Sequence, residues 1–326
     1  MGSTAAVICK GKRDSTRFLL KMLSVMSHRG SEAYGIATDN ALEVKGDLKK
    51  LTVTESNVSI GYNFSKILPW DKPQPVSFNN VKLTFHGRVF PNKEMSESDL
   101  ILGLFEREPV KEAELILEKL NGAYSFAALI DGKLIVGRDP LGLKPLYYGE
   151  NHEVYAFATE KKALWSIGIK NVKSFPPGFI GQISNGRLSL KPIKVLKKPK
   201  TESISADKCI RHLKKLLYSS ISDRIYGLKK VALAFSGGLD SSILAAIMKE
   251  LGVDVQLIAV GSEGSHDYSW ALEIAEEIGL PADLKIFKAD DVRDVLPIVL
   301  WLIEDPNPLS LSIAVPFYFV AEESSN

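Results

Sequence analysis

The stretch that decides the fold of the second half of this chain is Lys230–Ser242, KVALAFSGGLDSS. Its first part, Lys230–Phe235, has the composition of a buried strand, and Ser241–Leu251 has the apolar spacing of a helix. Between them, Ser236–Ser242 carries two adjacent glycines, which let a backbone turn tightly and approach a ligand closely. Because the free N–H groups at a helix start attract anions, this pattern predicts a phosphate-binding loop.

The side chains of the loop refine this prediction. Ser236, Ser241 and Ser242 add hydroxyl donors, whereas the carboxylate of Asp240 would repel a bare phosphate. An acidic residue at this place therefore suggests a metal ion between carboxylate and phosphate. No lysine follows the glycines, which excludes the Walker pattern. The alternative interpretation, a Gly-Gly turn capped by a serine, explains less of the heptapeptide.

Working outward from the loop, the chain alternates helices and strands after residue 206. The predicted helices are Ala206–Tyr226, Ser241–Leu251, Ser269–Ile278, Asp290–Ile303 and Ala314–Glu323, and the predicted strands are Lys230–Phe235, Val255–Val260 and Ala282–Phe287. Such alternation predicts a parallel sheet with right-handed crossovers.

The first half has a different pattern of short strands with a few helices. The predicted strands are Val81–Phe85, Tyr124–Ile130, Lys133–Val136, Leu146–Tyr148 and Val154–Thr159, and the predicted helices are Ser15–Met26, Ser98–Phe105 and Val110–Leu120. Asp131-Gly132 predicts a hairpin turn. This half therefore reads as antiparallel sheet covered by helices. A polar, basic, proline-containing stretch follows it, so we expect domains at 1–190 and 206–326 joined by a linker at 191–205.

Composition excludes several classes of protein. The 326 residues suffice for about two domains. With 41 basic and 39 acidic residues, the chain is not a strongly basic nucleic-acid binder. No apolar run reaches the length of a membrane span, and no secretory signal is visible, so we expect a cytoplasmic protein without a membrane partner. Two cysteines, Cys9 and Cys209, cannot form a disulfide framework. A homodimer is an open possibility.

The loop resembles the pyrophosphate loop of N-type ATP pyrophosphatases, and further motifs resemble asparagine synthetases in particular. These motifs, in family order, are His28-Arg29-Gly30-Ser31, the run Gly137–Tyr148, Ala158–Leu164, Phe175-Pro176-Pro177-Gly178 and, after the second strand, Gly264–Asp267. The resemblance implies an α/β and α+β chain: an N-terminal αββα antiparallel sandwich of the N-terminal-nucleophile (Ntn) type, followed by a parallel-sheet α/β ATP pyrophosphatase-like domain.

The resemblance also implies an activity. A ligase of this family activates aspartate with ATP and Mg²⁺, and then transfers nitrogen from ammonia or glutamine to give asparagine, AMP and pyrophosphate. Asp240 would hold the metal. The implied ATP-binding positions are Ala234, Ser236, Gly237, Gly238, Leu239, Asp240, Ser241, Ser242 and Val260. Two alternatives stay open: a non-catalytic or incomplete nucleotide-binding relative, and a related ligase for another carboxylate. The family's synthetase domain continues beyond Asn326, and Leu309 and Leu311 replace polar positions near the substrate.

The glutaminase part departs from the family pattern. Gly2 stands where the family has its nucleophilic cysteine, so this position carries no catalytic side chain. Asn63 aligns with an arginine that pairs with the substrate carboxylate. His86-Gly87-Arg88 aligns with Asn-Gly-Glu, so a cation replaces the carboxylate that would hold the substrate amine. Asp99 is retained. We therefore expect an inactive glutaminase site, unless Met1-Gly2-Ser3 is a cloning remnant that replaced a native cysteine.

Overall fold

The computed structural model describes residues 2–11, 13–52, 54–91, 94–104, 109–184, 186–263 and 267–325. The chain divides into two compact units, Met1–Thr201 and Glu202–Asn326. Two predicted segments extend beyond the described residues. These are the end of the predicted helix at Phe105 and residues 264–266 of the motif after the second strand.

The first unit consists of two stacked antiparallel sheets. Its strands are β1 Gly2–Cys9, β2 Ala33–Thr38, β3 Leu42–Lys45, β4 Val58–Phe64, β5 Val76–Phe78, β6 Val81–Val89, β7 Gly122–Ile130, β8 Lys133–Arg138, β9 Tyr147–Glu150, β10 Val154–Ala158, β11 Lys173–Ser174, β12 Phe179–Ser184 and β13 Arg187–Pro192. One sheet has the order β11-β9-β10-β1-β4-β2-β3, and the other β13-β12-β8-β7-β6-β5.

Helices cover the outer face of each sheet. They are α1 Thr16–Val25, α2 Glu97–Leu102, α3 Pro109–Lys119 and α4 Lys161–Ser166. α1 and α4 pack on the first sheet through Leu19, Leu23 and Leu164, and α3 packs on the second sheet through Ile116 and Leu117. A third apolar cluster fills the space between the sheets. The result is the αββα sandwich that the resemblance implied, with the helix-covered antiparallel sheet that the sequence pattern predicted.

Two central strands, β2 and β4, are absent from the strands predicted above. Every residue of β2 and of β4 is buried. Both faces of these strands are covered, so small and polar residues are buried there beside apolar ones: AYGIAT shows no regular alternation, and VSIGYNF buries Ser59, Gly61 and Asn63 on its second face. The hairpin prediction at Asp131-Gly132 agrees with the structure. Both residues have positive φ, 47° and 73°, as a two-residue turn between β7 and β8 requires.

The second unit is a parallel sheet with helices. Its strands are β14 Lys230–Ala234, β15 Asp254–Ser262 and β16 Ala282–Phe287, in that order and all parallel, and its helices are α5 Ala206–Ile225, α6 Leu239–Glu250, α7 Asp267–Ile278, α8 Ala289–Ile303 and α9 Pro308–Ser324. α9 begins six residues before its predicted start, Ala314. Asn307 caps the helix and Pro308 is accepted in its first turn, while Pro316 lies within it.

In the described part of the chain, no single helix is long and apolar enough to span a membrane. Helices α8 and α9 together have the length and apolar composition of a membrane span, but the chain bends by 108° between them.

A fully buried carboxylate organises the loop after β8. Asp139 accepts hydrogen bonds from the backbone N–H groups of Tyr124, Leu141, Leu143 and Lys144, at 3.2, 3.0, 3.0 and 3.0 Å. The carboxylate therefore ties the end of β8 to β7 and fixes the loop that follows.

Replacing Asp139 by alanine should lower the free energy of unfolding by about 3 kcal/mol or more, because several partly or fully buried amides lose their acceptor. Urea denaturation of the whole chain measures this change. Asp47→Ala is the matched control, since within the described residues the Asp47 carboxylate accepts only the exposed N–H of Lys49, and it should cost about 1 kcal/mol or less. Equal losses for the two variants would contradict the assigned role of Asp139.

Candidate functional site

The loop Ser236–Ser242 joins the end of β14 to the start of α6. Its serines hold it together: the hydroxyls of Ser236 and Ser241 lie 3.2 Å apart, and the Ser241 hydroxyl donates to the carbonyl of Gly238 at 3.1 Å. The Ser242 hydroxyl donates to the carbonyl of Gly237 at 3.3 Å. The first amides of α6 lack intrahelical acceptors and mark an anion-binding position at the loop.

Gly237 is required by the path of the loop. Its φ is +70°, and a Cβ atom there would lie 2.8 Å from the Cα of Ala271 in α7. The indole N–H of Trp270 donates a hydrogen bond to the Gly237 carbonyl at 3.2 Å. Gly238, by contrast, has φ −72° and ψ 163°, and a Cβ there would meet only the flexible hydroxyl of Ser236 at 3.3 Å. The loop therefore requires glycine at position 237, whereas the backbone at position 238 would accept alanine.

An apolar cavity of about 260 Å³ adjoins the loop at the carboxyl ends of β14 and β15. It is lined by Ala234, Phe235, Ser236, Ile258, Val260, Pro316, Phe317 and Val320. Ligands of open α/β sheets bind outside the carboxyl ends of the strands, so the cavity and the loop form one candidate nucleotide site.

The structure brings the predicted positions Ala234, Ser236 and Val260 together at this cavity. Leu239 and Asp240 are exposed in the first turn of α6, on the loop. The contribution of α9 was missed. Phe317 is 59% exposed although it is a large aromatic residue. The signal that could have found it is the run Pro316–Phe319 in a helix that follows the strands.

A second set of predicted residues lies in the first unit, where β1 begins beside β4. Gly2 pairs with Phe64, and a Cβ atom on residue 2 would lie 1.8 Å from the carbonyl oxygen of Asn63. Gly87 in β6 has φ +150°, and a Cβ there would lie 2.1 Å from the carbonyl oxygen of Ala123. Both positions accept glycine and no larger residue without a shift of the backbone.

His86 is fully enclosed between the two sheets, at 1% exposure. Burial, with the nearby cations Lys144 and Arg29, holds the pKa of its imidazole well below the usual value. The ring is therefore neutral at pH 7. Among the described residues, its Nδ1 has no hydrogen-bond partner, and the same holds for the hydroxyl of Ser125, its register partner on β7.

Arg88 lies in an ion-pair cluster with two carboxylates that the sequence analysis did not single out. Its guanidinium donates to both oxygens of Asp71, at 2.7 and 2.8 Å, and to Glu97 at 2.8 Å. Burial raises the pKa of Glu97, and Arg88 offsets this only in part. For Asp71 the hydrogen bonds from Arg88 and from backbone N–H groups outweigh burial and lower the pKa.

Two further predicted pocket residues, Asn63 and Asp99, take no part in the Arg88 cluster. Asn63 does not face the pocket: its amide donates to the carbonyl of Leu23 in α1 at 2.8 Å. Because side chains alternate along a strand, its neighbours Tyr62 and Phe64 line the pocket instead. Asp99 lies at the pocket's surface, where it pairs with the ammonium group of Lys72 at 2.5 Å.

These features define a class of protein that joins an amidotransferase-type sandwich to a nucleotide-binding α/β unit. Family models agree for both halves. Residues 74–166 match the glutamine amidotransferase domain, and residues 212–326 match asparagine synthase. The two matches agree with the resemblance to asparagine synthetases that the sequence motifs carry.

Curated relatives extend the match along the chain. A candidate glutamine-hydrolysing asparagine synthetase of Methanocaldococcus jannaschii is 26% identical, covering 100% of this chain and 65% of the relative. Asparagine synthetase B (glutamine-hydrolysing) of Escherichia coli is 25% identical, covering 93% of this chain and 57% of the relative. The chain thus spans between about half and two thirds of the length of these relatives.

Solved structures show the same fold at low identity. The glutamine phosphoribosylpyrophosphate amidotransferase of B. subtilis aligns over 86% of this chain and 65% of its own, with a TM-score of 0.50 and 20% identity. An allosteric regulatory enzyme of purine biosynthesis aligns over 87% of this chain and 80% of its own, with a TM-score of 0.51 and 17% identity. These likenesses support the Ntn-type architecture.

Gly237→Ala should abolish measurable ATP binding, because a Cβ at φ +70° is strained and meets the backbone of α7. Gly238→Ala is the matched control in the same loop, and it should bind ATP within about threefold of the parent chain, since its φ suits alanine. Calorimetric titration with ATP measures both affinities, and thermal unfolding checks that both variants are folded. Equal effects of the two substitutions would argue against this assignment of the loop.

Proposed function

We propose that this protein is an ATP-dependent amide-forming ligase of the asparagine synthetase type. The observation that carries the proposal is the loop Ser236–Ser242 beside the apolar cavity of β14, β15 and α9. The loop supplies hydroxyl groups and free helix amides for phosphates, and the cavity supplies apolar walls for a nucleobase. The similarity to asparagine synthetases makes ATP the expected nucleotide and aspartate the expected carboxylate substrate.

The proposed reaction has two steps. An oxygen of the substrate carboxylate attacks the α-phosphorus of ATP, pyrophosphate leaves, and an acyl-adenylate forms. A nitrogen nucleophile then attacks the acyl carbon, and AMP leaves. The adenylate is a better electrophile than the carboxylate, and it must be shielded from water until the nitrogen arrives.

Asp240 suits the metal position of such a site. It is exposed in the first turn of α6, and within the described residues no hydrogen bond occupies its carboxylate. Mg²⁺ usually binds one or two carboxylates together with substrate phosphates, so a single aspartate on a phosphate loop fits it. The ion would neutralise phosphate charge.

The other assignments remain predictions from the sequence: glutamine or ammonia as nitrogen donor, a homodimer, a cytoplasmic location, and no role for nucleic acid or a membrane. Leu309 and Leu311 stand where asparagine synthetases have polar residues near the substrate, so a carboxylate other than aspartate is a second candidate. A panel of carboxylates should therefore accompany aspartate in every assay.

The test is pyrophosphate release from ATP and Mg²⁺ with aspartate, and with the panel of carboxylates, in the presence of ammonia. We expect release that depends on a carboxylate and falls at least about tenfold in Asp240→Asn. Asp290→Asn is the control, because Asp290 is also exposed in the first turn of its helix, α8, but lies outside the loop. ATP binding without release under any condition would favour a non-catalytic nucleotide-binding protein.

Phe317→Ala should raise the KM for ATP by about tenfold with a smaller change in kcat, because an aromatic wall of the proposed nucleobase cavity is lost. Ile313→Ala is the matched control: Ile313 is similarly exposed on α9 but does not line the cavity. Steady-state kinetics over a range of ATP concentrations distinguish the two. An unchanged KM in Phe317→Ala would remove α9 from the site.

A further inference from the structure

The pocket of the first unit is occupied by the protein's own side chains. Arg88 reaches into it from β6 and bonds both oxygens of Asp71 and one oxygen of Glu97. The side chains of the three residues are 17%, 6% and 8% exposed. Bidentate guanidinium–carboxylate pairs are among the strongest and most directional polar contacts in proteins, and removing one partner of a buried pair leaves a costly unpaired charge.

Little space remains around this cluster. The cavity lined by Tyr62, Phe64, Gly87, Arg88 and Glu97 has a volume of about 20 Å³. That volume accommodates a single water molecule. An amino acid such as glutamine could enter only if Arg88 moved away and left the two buried carboxylates without their cation.

The charges needed to hold glutamine are also engaged. An α-ammonium group needs a carboxylate, but Asp71 and Glu97 are bonded to Arg88, and Asp99 is bonded to Lys72. An α-carboxylate group needs a cation, and the Arg88 guanidinium already bridges the two buried acids. The pocket therefore pairs internally the charged groups that a zwitterionic amino acid would need, although Glu97 Oε1 has no hydrogen-bond partner among the described residues.

The described residues also offer no thiol for amide hydrolysis at this site. Residue 2 has no side chain and no room for one. Cys9 lies at the opposite end of β1, paired with Val154, and is 6% exposed. Burial raises the pKa of its thiol, which keeps it protonated. The cluster and the missing nucleophile are independent observations that lead to the same conclusion.

We propose that Arg88, Asp71 and Glu97 form an internal plug that takes the place of glutamine, and that the ligase accepts nitrogen as free ammonia. Arg88 then excludes glutamine from the pocket, and residue 2 supplies no nucleophile that could hydrolyse it. This inference rests on the proposed ligase function. It goes further by naming the donor and the residues that exclude the alternative.

The first experiment separates the two proposals. ATP–pyrophosphate exchange with the carboxylate substrate and no nitrogen donor tests adenylation alone. Amide formation is then measured with ammonium chloride and with glutamine, and glutamate release is measured from glutamine without ATP. We expect exchange, amide formation with ammonia, and at least a 100-fold lower kcat/KM with glutamine, without glutamate release.

The outcomes remain distinguishable. Exchange followed by glutamine-dependent amide formation, or any enzymatic glutamate release, overturns the plug and leaves the ligase intact. Failure of exchange with every carboxylate overturns the proposed ligase function, while glutamate release from glutamine still tests the pocket. The wild-type chain suffices for all of these assays, so they do not depend on a variant that folds.

A second experiment tests the plug by chemical rescue. Arg88→Ala leaves the Asp71 and Glu97 carboxylates facing a vacated, guanidinium-shaped space. Methylguanidinium at millimolar concentration should raise the melting temperature of this variant by several degrees and leave the parent chain unchanged. Arg293→Ala is the control, because Arg293 is 77% exposed and pairs only with Asp290 among the described residues. A folded Arg88→Ala without selective rescue would contradict the proposed plug.

Discussion

The burial of both faces of the central strands governs the chemistry of the first unit. β1 and β4 lie between α1 on one side and the second sheet on the other, so that a polar side chain placed there leaves water. Such a group must find a partner within the protein or remain neutral. The Thr4 and Thr84 hydroxyls accordingly form a hydrogen bond between the two sheets at 2.7 Å, and the Asp139 carboxylate accepts hydrogen bonds from backbone N–H groups. The imidazole of His86 stays neutral.

Arg88 shows how far this constraint reaches. From the sequence, a cation in place of a substrate-binding carboxylate looks like a defect that repels the substrate amine. In the structure the cation is fully compensated, because Asp71 and Glu97 enclose it on two sides. A guanidinium buried without these carboxylates would be far more costly than the same group in water. The three residues therefore function as one unit, and the pocket is rebuilt around them.

The second unit obeys a different rule, since its site is open to solvent and depends on the backbone. The path of the loop is set by the positive φ of Gly237 against α7, and the serines only stabilise it. This is why the motif could be identified from the sequence with correct strand and helix neighbours. The motif of a phosphate loop is local, since its glycines and serines all lie within Ser236–Ser242, although α7 adds the distant contacts of Trp270 and Ala271.

Sequence reasoning succeeded where the determinants are local and failed where they are distant. The turn at Asp131-Gly132 and the β14–α6 loop depend on neighbouring residues and were predicted. β2 and β4 were missed although both are fully buried, because glycine and polar residues such as Gly35, Gly61 and Asn63 lower their apolar content. The partners of Arg88 were missed because they lie 17 and 9 positions away in sequence, on separate segments. No periodic pattern connects such positions.

The error at Asn63 has the same origin and affects how the family resemblance is used. Alignment placed Asn63 at a substrate-binding position, but strand geometry directs its side chain toward α1 and directs Phe64 toward the pocket. A shift of one residue in a strand exchanges its two faces, so an aligned residue name is weak evidence about a pocket. Phe64 strengthens the case against amino-acid binding, because an apolar ring at the pocket cannot pair with a substrate carboxylate. The corrected position thus supports the same conclusion as Arg88, on independent grounds.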